Sequence, residues 1–173
     1  YAWSPVQAPN QPSDMDFLPM MWGANEARMQ ALVEQDWTSF PRFLGYNEPD
    51  QAQQSNVPVD VAIERWKYLE ALDVPLVSPS AAHPLREWFA SFMERVEDEC
   101  LRVDVIGAHW YGPPHINDLK HKMTELYNLY QRPILLTEFA VADWQAKTVS
   151  DNRYSPEVVL TFLQEAIEWL EDT

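Results

Sequence analysis

Five short apolar runs divide this chain at a nearly constant interval. They are Phe17–Trp22, Phe43–Asn47, Leu76–Ser80, Val103–Tyr111 and Ile134–Phe139, starting 26, 33, 27 and 31 residues apart. A βαβ unit needs about 30 residues, because parallel strands can be joined only by a long crossover. The segments between the runs carry apolar residues at helical spacing. Val59, Ala62, Ile63, Trp66 and Leu69 form one stripe, and Leu85, Trp88, Phe89, Phe92, Met93 and Val96 a second. Ile116, Leu119, Met123, Leu126, Tyr127 and Tyr130 form a third, and Val159, Phe162, Leu163, Ala166, Ile167 and Leu170 a fourth. These stripes are packing faces. The last helix is expected to start at Ser155 as N-cap, with Pro156 at the first helical position where its missing N–H costs nothing.

The repeating unit fits either a doubly wound sheet or a (β/α)8 barrel. Polar and aromatic residues sit at the C-terminal end of nearly every run: Trp3, Trp22, Asn47–Glu48, Ser78–Ser80, His109–Tyr111 and Glu138. A barrel gathers such residues around one mouth, whereas a doubly wound sheet concentrates them at one switch point. The expectation is therefore an α/β, (β/α)8 TIM-type barrel spanning 1–173 as a single domain. Eight units take about 250 residues, and 173 residues hold five clear runs plus Tyr1–Ser4 as the tail of a sixth. The barrel is expected to be incomplete, and a chain that opens at Tyr1 rather than Met reads as a fragment or a processed product.

Composition narrows the chemistry. Twelve Lys+Arg against 27 Asp+Glu give a net charge of -15, the wrong sign for a nucleic-acid groove or an anionic membrane surface. Four glycines leave no material for a phosphate-cradling loop, and the single Cys100 excludes an intrachain disulfide. The histidines show neither His-x-His nor Glu-x-x-His, so no metal and no cofactor are expected. Eight tryptophans in an acidic chain suit flat, uncharged ligands in a carboxylate-lined cleft.

Two glutamates carry the chemistry. Glu48 lies in GYNEPD (Gly45–Asp50), beside Asn47 and ahead of Pro49; Glu138 lies inside the apolar run LLTEFA (Leu135–Ala140). A lone acid in such a run is costly to bury unless it is paired or functional. The two are 90 residues apart, three βα units, which places them across the barrel mouth from one another. Retaining glycosidases use two carboxyl groups about 5–5.5 Å apart, one as nucleophile and one as acid/base. Glu138 is read as the nucleophile and Glu48 as the acid/base. In HWYG (His109–Gly112), strand alternation turns His109 and Tyr111 to one face and Trp110 to the other, with Tyr111 placed to donate to Glu138.

Taken together and in order, GYNEPD, QSN (Gln54–Asn56), a helix containing Trp66, VSPS, VDVIGAHWYG and PILLTEFA resemble glycoside hydrolase family 128 over nearly the whole chain. The resemblance implies a compact (β/α)8 barrel that cleaves β-1,3-glucan by retention, with Glu48 and Glu138 in the roles above. It implies Asn47 near the sugar 2-hydroxyl, Trp3, Trp22, His109 and Tyr111 around the cleft, and Trp110 or Trp144 as stacking surfaces. Ala2 stands where the family usually has Asn, and the first and last family strands have no counterpart. An open barrel would expose the edge of the strand that carries Glu138. The other readings are a glycosidase of the same clan acting on β-1,4-glucan or mannan, and a non-catalytic β-glucan-binding barrel. A polysaccharide partner, a monomeric state and an extracellular or cell-surface location complete the expectations.

Overall fold

The computed structural model describes all residues except 8, 11 and 13. Five helices alternate with four strands: α1 (Glu26–Val33), β1 (Phe43–Leu44), α2 (Val59–Glu70), β2 (Leu76–Val77), α3 (Glu87–Asp98), β3 (Ile106–Gly112), α4 (Ile116–Tyr130), β4 (Ile134–Val141) and α5 (Pro156–Glu171). β1 pairs with β2 and β3 with β4, all parallel. Single parallel bridges, Met20 to Leu44 and Val77 to Val105, join these pairs and add the Phe17–Trp22 run at one side. The strands thus follow one another in chain order with no switch point.

The first ladders are short for a covalent reason. Pro19, Pro75 and Pro79 lie in or beside the first three runs and have no N–H to donate. Pro19 and Pro75 still accept, from Leu44 N at 2.8 Å and Phe43 N at 2.9 Å. Beyond Pro79 the pairing resumes, with Ser80 N donating to Tyr46 O and Glu48 N to Ser80 O, both at 2.9 Å.

Alternation along the strands creates two apolar layers. On the concave side, Met20, Leu44, Val77 and Val105, with Leu135 beside them, contribute one residue from each of the five parallel segments. On the other side the helices pack. Trp66 of α2 is fully buried, edge-on to Tyr46 (5.7 Å, 75°) and Phe92 (5.2 Å, 77°). Gly45 is dictated by this ring: a Cβ there would lie 2.8 Å from Trp66 Cζ3 and 3.0 Å from the backbone N of Pro79. Helices α4 and α5 cover β3 and β4 through Leu119, Met123, Leu126, Phe162 and Ala166.

All four apolar stripes fall on helices, although Leu85 precedes α3 and is exposed, and Ile167 and Leu170 of α5 face solvent. Ser155 caps α5 by accepting from Val158 N, with Pro156 following as expected. Tyr1–Ser4 is not a strand; it bends, with Trp3 at φ 44, and Ser4 O accepts from Met20 N at 3.2 Å. In place of the expected barrel, the described residues form a five-segment parallel arc. β4 is paired on one side only and all eight of its residues are half-buried, as expected for the edge carrying Glu138.

Candidate active site

The C-terminal ends of the strands carry the site. Glu48 follows β1 in a left-handed backbone conformation (φ 41), which costs about 1–3 kcal/mol and persists only where neighbours hold it. Two anchors do so here. The Asp50 carboxylate accepts from Ala82 N (2.8 Å) and His83 N (2.9 Å), tying the loop after β1 to the loop after β2. Val57 N donates to Pro49 O at 3.0 Å, closing the loop on itself. Asn47, 3% exposed, donates from Nδ2 to Gln54 Oε1 at 3.3 Å, and its Oδ1 is buried with no partner among the described residues.

His109 stands between the two glutamates. Its Nδ1 is 3.0 Å from Glu48 Oε1 and 3.6 Å from Glu138 Oε2. One oxygen of each carboxylate and one ring nitrogen of His109 all lie within 4.8 Å of one another. Behind the strand, Lys122 of α4 donates to His109 O at 3.0 Å. Burial pulls the Lys122 ammonium below the usual lysine value, opposed by the charges of Asp50 and Glu48.

Glu138 is surrounded by donors. Trp3 Nε1 donates to Oε1 at 2.9 Å and Tyr111 to Oε2 at 2.8 Å, and the Tyr1 hydroxyl also donates to Oε1. Burial alone would raise the pKa of this carboxyl. The Tyr1 and Tyr111 hydroxyls, His109 and Trp3 outweigh it and hold Glu138 below the ordinary glutamate value. The same bonds act on the phenols: burial and then the Glu138 hydrogen bond push Tyr111 up to about 12 and raise Tyr1. Both phenols stay neutral donors at any working pH.

A pH profile should report this arrangement. Removing the Tyr111 hydroxyl (Tyr111→Phe) takes a donor from the ionised carboxylate, so the Glu138 pKa rises. The acid limb of kcat/KM should then move to higher pH, with a plateau lower by about tenfold, the scale of one hydrogen bond to a charged group. An acid limb unchanged from the parent would contradict the assigned bond.

The expected cleft residues differ in exposure. Trp3 and Trp22 are partly exposed and line a cavity of about 860 Å³ together with Asn25, Arg28, Ser55 and Asn56; Glu48 and Glu138 are not among its lining residues. Trp144 is 76% exposed on the loop after β4, with its ring free to solvent. Trp110 is a correction. It is 5% exposed, stacks on Phe162 of α5 (5.0 Å, 19°) and lies in the layer between β3 and the helices, so no sugar can reach it. Alternation from His109 already turns Trp110 away from the mouth, and the strand continues to Gly112 without twisting it back. Tyr1 is a site residue that sequence reasoning did not single out; its signal is its place two residues from Trp3, which leaves the rings edge-on at 5.9 Å.

Glu48, His109 and Glu138 are also the only grouping among the described residues with atoms suited to hold a cation. The Glu138 oxygens are already engaged by three donors. The chain matches the family described as the glycosyl hydrolase catalytic core over residues 1–173. It is also similar to a crystal structure of a family 128, subgroup I endo-β-1,3-glucanase from Amycolatopsis mediterranei in complex with laminaritriose. That chain is 30% identical, with a TM-score of 0.85, and the match covers 100% of this chain and 74% of that one.

The chain belongs to glycoside hydrolase family 128. A second family 128 structure, a subgroup III curdlan-specific exo-β-1,3-glucanase from Blastomyces gilchristii in complex with glucose, is 25% identical with a TM-score of 0.73, covering 99% of this chain and 74% of that one. A subgroup VII oligosaccharide-binding protein from Cryptococcus neoformans shares the fold at 22% identity, with a TM-score of 0.77 and coverage of 99% and 70%. None of the curated proteins compared matches the sequence significantly. The chain is thus a glycoside hydrolase.

Proposed function

We propose that this glycoside hydrolase cleaves β-1,3-glucan by double displacement, with Glu138 as nucleophile and Glu48 as acid/base. The observation that carries the reading is the approach of the two carboxylates, an oxygen of each within 4.8 Å. Inverting enzymes hold theirs about 6.5–9.5 Å apart to admit a water, and retaining enzymes about 5–5.5 Å. Glu138, kept ionised by its donors, attacks the anomeric carbon and forms a glycosyl ester. Glu48 gives its proton to the departing glycosidic oxygen, then takes one from the water that hydrolyses the ester. Asn47, next to Glu48 in the chain, is assigned to the neighbourhood of the 2-hydroxyl of the attacked glucose. Trp3, Trp22 and Trp144 offer ring faces to the sugars; His109 orients Glu48.

The five-segment arc is read as a sector of a (β/α)8 barrel, with residues 1–173 acting as one catalytic domain. A polymeric substrate places a monomeric enzyme outside the cell or at its surface. The similarity to the laminaritriose-bound A. mediterranei endo-β-1,3-glucanase supports the β-1,3 linkage. Incubation with laminarin, cello-oligosaccharides and manno-oligosaccharides tests it: laminari-oligosaccharides should appear from laminarin alone. Cleavage confined to the β-1,4 substrates would overturn the linkage, and binding of laminarin without hydrolysis would favour a binding protein.

A further inference from the structure

The side chain of Glu138 points the wrong way for a regular strand. Leu135 packs in the concave layer and Leu136 in the helix-facing layer with Ala108 and Leu119. Strict alternation would then put Thr137 and Phe139 in the mouth and bury Glu138 against α4 and α5. The structure has the reverse: Phe139 lies in the helix-facing layer beside Phe162, and Glu138 faces His109 and Tyr111. The exchange takes place at an irregularity in the β3–β4 register. Ala108 pairs with Leu136, but the next residue, His109, pairs with Glu138, which leaves Thr137 as an extra residue in β4. A bulge of this kind re-aims the side chains that follow it.

Thr137 is held at this point from two neighbouring strands. Its hydroxyl donates to Ala108 O at 3.2 Å, and its Oγ1 is 3.1 Å from Ser80 Oγ at the end of the VSPS segment. With the Thr137 proton on Ala108, Ser80 is the donor in the second bond. Space is reserved for this contact. A Cβ at Gly107 would sit 2.4 Å from Ser80 Oγ, and Ser80 is 1% exposed. We infer that Thr137 is a positioning residue: its hydroxyl, clamped between Ala108 O and Ser80 Oγ, pins the bulge that turns Glu138 from the helix-facing side into the mouth. The Glu138 donors Tyr1, Trp3 and Tyr111, and the neighbours His109 and Glu48, all belong to other segments. They engage Glu138 only if β4 presents it to them.

The inference rests on Glu138 as the nucleophile only for its kinetic readout. Thr137→Val keeps the shape and removes the hydroxyl; Thr137→Ser keeps the hydroxyl. With laminarin, Thr137→Val should lower kcat by about 10–100-fold, the scale of a 1 Å misplacement at the reacting atoms, with KM little changed, and Thr137→Ser should restore most of it. A titration of the Glu138 side-chain carboxyl by 13C NMR reads the same point without turnover. The parent should titrate below the ordinary glutamate range, and Thr137→Val should move up as the donors disengage. A parent-like titration in folded Thr137→Val overturns the inference even if no glucan is cleaved; a titration raised in Thr137→Val relative to the parent, when the parent itself cleaves no glucan, supports it while refuting the glucanase reading. Should Thr137→Val fail to fold, Ser80→Ala removes the clamp from the β2 side. A raised Glu138 titration there supports the inference and a parent-like one overturns it.

Discussion

Glu138→Gln should lose hydrolysis of laminarin by on the order of 10⁴–10⁶-fold, the scale on which a covalent nucleophile is missed. The amide keeps the size of the side chain: its oxygen can still accept from Trp3 and Tyr1, and its NH2 can donate to the Tyr111 hydroxyl oxygen, so the cleft stays formed. Laminari-oligosaccharide affinity, measured by calorimetry, should therefore remain near that of the parent. Loss of affinity in step with activity would mean that Glu138 binds the ground state instead of attacking it.

The second large effect belongs to Glu48. Glu48→Gln should lower kcat on laminarin by about 10²–10⁴-fold, the range that a positioned general acid contributes. The loss should depend on the leaving group. An aryl glucoside with an acidic phenol departs without a proton, so the first step recovers. The second step still lacks its base, and a burst of phenol followed by slow turnover is expected. Equal losses on the aryl substrate and on laminarin, with no burst, would remove Glu48 from the acid/base role.

The two effects have different physical origins. Glu138 is fixed by three donors and a pKa held down. Glu48 has His109 as its side-chain neighbour and owes its place to backbone, through a positive φ and through Glu48 N donating to Ser80 O. The sequence has a glycine at the tight point, Gly45 against Trp66, but uses a non-glycine residue at the left-handed one. Asp50, two residues on, anchors the loop that makes this tolerable.

The strand spacing, four helices and both glutamates were legible because each leaves a periodic or compositional trace. A run of apolar residues with one acid in it, Leu135–Ala140, is such a trace. Helix α1 was not legible from its pattern, because only Met29 and Leu32 are buried in eight residues and no stripe forms. The aim of Glu138 was not legible either. Period-two reading assumes an unbroken ladder, and the extra residue at Thr137 is visible only in the pairing of β4 with β3. Trp110 shows the same limit from the other side: its aromatic character suggested a sugar platform, whereas its place in an unbroken strand made it core. Tyr1 bonds Glu138 across 137 residues, and the one local trace of that contact is its place two residues from Trp3.

Two glutamates acting in succession through a glycosyl-enzyme intermediate leave a stereochemical signature. The most direct measurement is the anomeric configuration of the first sugar released, followed by 1H NMR in the opening minutes of laminari-oligosaccharide hydrolysis, before mutarotation blurs it. Double displacement at Glu138 predicts that the new reducing end appears as the β-anomer and only then equilibrates. The α-anomer appearing first would mean a single displacement by water and would contradict the assignment of Glu138 as nucleophile.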